Sequence, residues 1–345
     1  MFLTEKEILD TPLALEKTCR YFAERAEEYK SFFACNSQKK FTFLGCGSSY
    51  MLAKSAATVF GALPGTAASA IPAGDYLIDP GFWQETLKNS MVVTLSRSGR
   101  TSEMVLAVEA IRRTLGCPVI SISAEDQNDI MPLSQLDITL DWCYDESVCQ
   151  TRTVTNFYAA VLLLAAVYSG NEALAAAVRK ACEQNAAFQA KNRPVLERIA
   201  DMAWDNVVVL TDGPLCGIAE EGALAFTEIC MLCGRYFHVL DYRHGPIVIS
   251  DKNTLTLMAL RPGEEALQKT MVNDVRAHGG PVVTVSQEGG NPYGATAHIQ
   301  ISGIDDFAAW GIPFIYLAQM LSLLKAVALG GNPDAPKGLD AYIKL

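Results

Sequence analysis

The stretch Ser96-Arg97-Ser98-Gly99-Arg100-Thr101-Ser102 is well equipped to hold a phosphate. Before it runs Met91-Val92-Val93-Thr94-Leu95, apolar and β-branched; after it Met104, Val105, Ala107, Val108 and Ile111 recur at helical spacing. That order reads as strand, tight loop and helix N-terminus. A helix start leaves four backbone N–H groups without partners and carries the positive end of the helix dipole. Ser96, Ser98 and Thr101, with Ser102, would add hydroxyl donors, Gly99 would let the backbone approach closely, and Arg97 and Arg100 would add positive charge. The same residues also suit an ordinary strand followed by a Ser/Thr-capped helix. Neither the dinucleotide G-x-G-x-x-G nor the Walker loop occurs here, so the expected ligand is a small phosphate ester.

Two further residues have chemistry to offer. On a helix, Glu228 would have Leu224, Ala225, Met231 and Leu232 three and four positions away. Apolar neighbours would desolvate its carboxylate and raise its pKa toward the working pH, as a general base requires. A core-paired structural glutamate fits the same pattern. His244 sits between two apolar runs, after Arg243 and before Gly245-Pro246, a context that by itself describes a surface loop. His238, His278 and His298 show no metal-ligand spacing, so no metal is expected.

Positioning these groups falls to alternating strands and helices, the mark of an open α/β sheet with crossover helices. Residues 4–32 read as a helix, with Pro12 in a first turn or at a kink. Phe41–Gly45 reads as a strand turning through Cys46-Gly47-Ser48-Ser49-Tyr50 into a helix. Strands are expected at 118–122 and 136–142, then a loop, Tyr144–Arg152, and a helix from Thr155 to Tyr168. Residues 171–203 read as connecting helices. The alternation then restarts with a strand at 207–210, a helix at 215–233 and strands at 237–240 and 255–260. A helix at 264–278, a strand at 282–286 and a last helix at 312–328 complete it. The two halves repeat strand, Gly-containing turn and helix, and Gly116-Cys117-Pro118 answers Gly279-Gly280-Pro281.

Composition narrows the class. A chain of 345 residues with 50% hydrophobic and 19% charged content is globular and long enough for two cores. A net charge of −10 argues against nucleic acid and anionic membranes as partners. Ten cysteines without a short-spaced framework, and no basic-then-apolar leader, predict reduced thiols in a cytoplasm. Cys230-Met231-Leu232-Cys233 reads as two buried helix cysteines. No unbroken apolar run of about 18 residues is evident, so no membrane span is expected.

In order along the chain stand Gly45-Cys46-Gly47-Ser48-Ser49-Tyr50, Ser96–Thr101, Glu221-Gly222-Ala223-Leu224 with Thr227-Glu228-Ile229, and Asp241-Tyr242-Arg243-His244-Gly245-Pro246. Together they resemble the sugar isomerase (SIS) domain pair, as in the isomerase half of glucosamine-6-phosphate synthase and in short fructosamine-6-phosphate deglycases. The resemblance covers about residues 35–345 and implies two flavodoxin-like, three-layer α/β/α domains with parallel sheets, related by duplication. The implied organisation is a helical segment at 1–34, a first domain at 35–170, connecting helices at 171–203 and a second domain with its tail at 204–345. By position it assigns Ser48, Ser49, Ser96, Ser98 and Thr101 to the sugar phosphate, and Val148 and Gln150 to a loop closing over the sugar. It makes Glu228 the carboxylate that moves protons between C1 and C2. His244 becomes the ring-opening histidine, reaching across from the neighbouring subunit of a homodimer. No cofactor is implied.

The departures sharpen the expectation. A glutaminase domain has no counterpart in the sequence, so glutamine-dependent amidotransfer is not expected. The Schiff-base lysine of the aminating relatives aligns with Ala341, with Lys344 three residues on, and a helix lysine of the synthase aligns with Ala225. What is left suits a substrate that carries its own nitrogen. The expected activity is therefore that of a deglycase cleaving a ketosamine 6-phosphate to a hexose 6-phosphate and free amine. An amino-sugar-phosphate deaminase or aldose/ketose isomerase is the first alternative, and a non-catalytic sugar-phosphate sensor the second. Arg97 offers a fork for the carboxylate of an amino-acid conjugate, or else a surface pair with Glu103 or another acidic neighbour.

Overall fold

In the computed structural model, which describes residues 1–339, short β-branched runs and longer amphipathic ones become strands and helices in alternation. The first half runs α1 (Leu3–Cys35), β1 (Lys40–Gly45), α2 (Ser48–Gly61), β2 (Ala67–Pro72), α3 (Ala73–Ile78), α4 (Pro80–Leu87), β3 (Met91–Ser96), α5 (Ser102–Leu115), β4 (Val119–Ser123), β5 (Leu136–Thr139) and α6 (Arg152–Ser169). After α7 (Glu172–Ala200) come β6 (Asn206–Leu210), α8 (Cys216–Ile229), β7 (Cys233–Phe237), β8 (Thr254–Ala259), α9 (Glu265–Ala277), β9 (Val282–Ser286), β10 (Ala297–Gln300) and α10 (Gly311–Ala328).

The strands form two parallel sheets, ordered β2-β1-β3-β4-β5 and β7-β6-β8-β9-β10. Counted within its own half, each sheet has the same order, 2-1-3-4-5. Central strands such as β3, β8 and β9 are buried at every residue, because helices cover both faces of a parallel sheet. Packing divides the chain into two compact units. One comprises Asp10–Glu146 and Gln150–Arg179 and holds the first sheet; the other comprises Met1–Leu9, Ser147–Cys149 and Lys180–Leu339 and holds the second.

Alternation along β1 sorts its side chains between two cores. Phe41 and Phe43 stack on Phe60 of α2 at ring-centre distances of 4.7 and 5.1 Å, and Phe41 meets Tyr168 of α6 at 4.8 Å. Burying each such ring is worth about 1.5–3 kcal/mol. Leu44 faces the other way, into a cluster with Val92 and with Met104, Ala107, Val108 and Ile111 of α5. In the second unit, Val208 and Leu210 pack with Tyr242 and with Met271, Val272 and Val275 of α9. On α8, a Cβ built on Gly222 would lie 3.0 Å from the Ala318 Cβ of α10, so these helices touch nearly backbone to backbone.

Several elements differ from the sequence reading. β2 and β10 were not expected; both are sheet edges, so they carry no continuous apolar run. The strand expected at 237–240 lies earlier, at Cys233–Phe237. Gly234 opens it where a Cβ would stand 2.0 Å from the Ala223 carbonyl oxygen of α8. The helix expected to reach residue 233 therefore ends at Ile229, and Met231, with φ 56°, turns the chain. Cys230 and Cys233 do not share a helix: Cys230 is buried, its thiol pushed up to about 12, while Cys233 is exposed. The segment Phe307–Ala328, interrupted by Gln319, Ser322 and Lys325, is long and apolar enough to cross a membrane by length and composition alone. In this fold it is a core helix, with 89% of its apolar window buried.

Helix α1 passes through Pro12, whose missing N–H leaves the Ile8 carbonyl without its helical donor. The Gln189 amide supplies one at 3.2 Å. At its start, the Asp334 carboxylate accepts from the Leu3 and Thr4 N–H groups at 2.7 and 2.8 Å and from the Thr4 hydroxyl at 2.7 Å. Burial opposes ionisation there, but the bonds from Thr4 and Leu3 outweigh it and hold the carboxyl below its ordinary value. Asp334→Ala should thus cost about 1 kcal/mol of stability at neutral pH. Because the folded pKa is the lower one, this contribution is complete above the unfolded value of about 4 and fades as pH falls through the folded value. Denaturant titrations of both proteins should converge below about pH 4; a constant gap across pH would assign the loss to something other than the carboxylate.

Candidate active site

β1 is flanked by β2 and β3. α2 leads from β1 toward β2, whereas α5 leads from β3 onward to β4, so right-handed crossovers put the two helices on opposite faces. The crevice outside the carboxyl ends of β1 and β3 is the switch point at which open α/β sheets bind ligands. Both candidate phosphate turns open there. At the first, a Cβ on Gly45 would stand 2.4 Å from the Ser49 carbonyl carbon, so only glycine lets α2 begin this close to its strand. Ser48 and Ser49 are buried in its first turn. The N-cap of α2 is Gly47 and that of α5 is Thr101, and neither contributes a side-chain cap. At α2 the Ser49 and Tyr50 amides are taken by the Cys46 and Gly47 carbonyls at 3.1 and 2.9 Å.

At the second turn, the Ser96 hydroxyl accepts the Gly99 N–H at 3.1 Å and the Ser98 hydroxyl accepts the Arg100 N–H at 3.2 Å. Each hydroxyl keeps a proton to donate. Gly99, at φ 60°, fits against Asn128: a Cβ would fall 2.3 Å from that side chain. Asn128 is itself pinned, donating to the Ser123 hydroxyl and the Glu125 carbonyl at 3.1 and 2.8 Å and accepting from Ile130 and Met131 at 3.1 and 3.0 Å.

The two loop arginines part ways. Arg100 makes the surface pair, with Glu125. Arg97 is only 4% exposed, and its Nη1 donates to the Asp145 carbonyl at 3.2 Å. That buried position replaces the surface pair expected as one of its two roles. Gln150 belongs to the same unit, whereas Val148 falls in the other; both are half-buried. Beside Val148, the buried Glu7 carboxylate accepts the Ser147 N–H at 3.2 Å and binds its hydroxyl.

In the second unit, α8 carries Glu220, Glu221 and Glu228; the last two are seven residues apart and so on one face, with Ala225 buried between them. Glu221 is buried and Glu228 half-buried. Only Glu228 is the base expected from sequence; the apolar neighbours of Glu221 at helical spacing, Ile218, Leu224 and Ala225, are the signal for the deeper one. Met231, expected beside Glu228 on the helix, lies beyond its end and is exposed. Glu228 stands at the carboxyl end of α8, where Thr227 accepts the N–H of Gly234 at the start of β7. His244 follows β7, on the other face of the sheet: Tyr242 packs in the α9 core, and Arg243 binds Asp274 and Thr270 of α9, each at 2.6 Å. Crossover handedness puts α8 and α9 on opposite faces, so the sheet separates Glu228 from His244.

His244 is exposed and, among the described residues, makes no side-chain hydrogen bond. The other three histidines are engaged: His238 with Asp212 at 3.0 Å, His278 with the Ser250 carbonyl at 3.0 Å, His298 with Thr284 at 2.9 Å. Ala341 and Lys344 lie outside the described residues.

The SIS domain family matches residues 35–168, the stretch from just before β1 through nearly all of α6. Residues 35–168 are a SIS domain. The whole chain is similar to the glutamine–fructose-6-phosphate aminotransferase (isomerizing) of Shewanella oneidensis, 23% identical over 97% of this chain and 57% of that protein. It thus spans little more than half the length of that relative. The D-galactosamine-6-phosphate deaminase AgaS of a Shewanella species is 26% identical over 77% of this chain and 69% of its own. Among solved structures, glucosamine-6-phosphate deaminase from Thermotoga maritima superposes with a TM-score of 0.77 at 25% identity, covering 95% of this chain and all of that one. The tagatose-6-phosphate ketose/aldose isomerase of Escherichia coli shares the fold at a TM-score of 0.86 and 22% identity, over 98% of this chain and 96% of its own.

Proposed function

We propose that this SIS-domain chain is a sugar-phosphate isomerase-type enzyme that cleaves a ketosamine 6-phosphate to a hexose 6-phosphate and a free amine. The observation that carries the reading is the pair of helix starts without side-chain caps, with Ser48, Ser49, Ser96, Ser98 and Thr101, at the switch point of the first sheet. In the proposed reaction His244 opens the sugar ring by proton transfer at the ring oxygen. Glu228 takes the proton from C1 of the open ketosamine, giving an enaminol, and returns it to C2, giving an imine at C1. Water adds to that imine and the amine leaves. The imine nitrogen comes from the substrate, which agrees with a buried alanine at position 225.

Glu228 and His244 are on opposite faces of one sheet, which supports a homodimer in which His244 of the partner subunit completes the site. The shared strand order supports duplication of one SIS-type unit, at residues 35–170 and from 204 onward. Ten free thiols support a reducing cytoplasm. The second reading, amine release from C2 of an aldosamine 6-phosphate, is favoured by the relatives named as deaminases.

A panel of fructosamine 6-phosphates of several amino acids, glucosamine 6-phosphate and fructose 6-phosphate, read separately for amine and hexose phosphate, tests this. Amine release from the ketosamines is expected; release from glucosamine 6-phosphate alone would replace the reading by the deaminase, and binding without turnover by a sensor. In the same series Ser98→Ala should weaken glucose 6-phosphate binding by about 1–3 kcal/mol. Calorimetry giving equal affinity for glucose and glucose 6-phosphate would remove the cradle.

A further inference from the structure

At the root of the segment Tyr144–Arg152 lies a buried charge cluster that the proposed chemistry leaves unused. Arg97 turns inward from the phosphate loop. Its Nη1 donates to the Asp145 carbonyl at 3.2 Å, and its guanidinium lies 5.7 Å from the centre of the Tyr144 ring. The Asp145 side chain is fully buried. Its Oδ2 accepts the N–H groups of Thr151 and Thr153, both at 2.8 Å, and its Oδ1 stands 3.8 Å from Arg152 Nε. Burial pushes this carboxyl up, against the pull of the Thr153 and Thr151 amides and of Arg152 and Arg97.

Asp145 thus serves the start of α6 as an N-cap would, but from several residues upstream. It closes the chain between them into a loop pinned at both ends. A cap of that kind requires no guanidinium from another loop. Arg97 brings one, and Arg152 adds a bond to the Tyr144 carbonyl. The bond from Arg97 to the Asp145 carbonyl and its contact with the Tyr144 ring tie the phosphate loop directly to this segment.

We propose that Asp145 is a positioning residue: its carboxylate ties the start of α6 while its backbone carbonyl takes Arg97, so that it couples the phosphate loop to the segment that begins at Tyr144 and carries Gln150, and a phosphate in the cradle fixes that segment. The proposal rests on the phosphate reading given above. It goes beyond it by naming residues that need not touch the ligand.

Hydrogen exchange of the full chain with and without saturating inorganic phosphate tests it, together with steady-state amine release. In the wild type, phosphate should slow exchange by about tenfold both at 96–103 and at 144–153. In Asp145→Ala, which removes the carboxylate that anchors this residue to α6, and in Arg97→Lys, which keeps the charge but loses the fork, the slowing should persist at 96–103 and vanish at 144–153. Turnover should fall about 10- to 100-fold in both variants, with KM changed by less than about threefold. A merely structural Asp145 would lower the melting temperature and leave the phosphate-dependent protection pattern as in the wild type. Wild-type protection confined to 96–103, or transmission surviving in the variants, would overturn the coupling alone. No protection at 96–103 would overturn the cradle reading and the coupling with it. If Asp145→Ala does not fold, Arg97→Lys decides the matter.

Discussion

Glu228→Gln should lower turnover on the ketosamine phosphate by about 10²–10⁴-fold while leaving glucose 6-phosphate affinity unchanged. Glutamine keeps the size of the side chain and some of its hydrogen bonding but cannot accept a proton from carbon. Glu228 is half-buried at the last turn of α8, so the exchange disturbs little packing and the melting temperature should hold. The loss should appear in kcat, since an interaction needed only as the proton moves contributes nothing to ground-state binding. Near-normal kcat in the variant would make the carboxylate structural and send the search for a base to the more deeply buried Glu221 on the same face.

Gly99→Ala should abolish most phosphate binding, by about 100-fold or more, the loss of one or two charge-assisted hydrogen bonds. Two costs fall on the same residue. At φ 60° an alanine is strained by about 1–2 kcal/mol, and its Cβ would fall 2.3 Å from Asn128. Asn128 cannot yield cheaply, because four hydrogen bonds tie it to Ser123, Glu125, Ile130 and Met131. The loop must therefore move, taking the Ser96 and Ser98 hydroxyls with it. Removing the obstacle in Gly99→Ala/Asn128→Ala should recover binding only in part, because the backbone strain stays. Calorimetry with glucose 6-phosphate reads both variants; wild-type affinity in Gly99→Ala would show that this loop does not hold the phosphate.

The amino-acid sequence by itself determined which local elements form. Apolar β-branched runs of five or six residues closed by glycine turns read as buried strands, and the strand–turn–helix at 91–115 was legible because a continuous apolar run gives way across Gly99 to apolar residues at helical spacing. Edge strands β2 and β10 were not legible, since an edge needs no continuous apolar run. Nor was the early start of β7, which depends on contact between Gly234 and α8, far outside any local window.

The candidate site divides the same way. Residue type and spacing were enough to single out Ser96, Ser98 and Thr101, because hydroxyls at a strand–helix turn declare their chemistry locally; Ser48, Ser49 and His244 took their expected roles from the family resemblance, and Glu228 by itself suited a structural glutamate equally well. Only the tertiary structure decided that β1 and β3 are neighbours, which turns two separate loops into one crevice. It decided as well that Arg97 points inward to Asp145, that Glu221 is the deeper carboxylate of α8, and that a sheet stands between Glu228 and His244. The physical reason is common to all four. Burial and facing are set by partners dozens of residues away, and a sequence pattern reports a residue's chemistry but not what the chain folds against it.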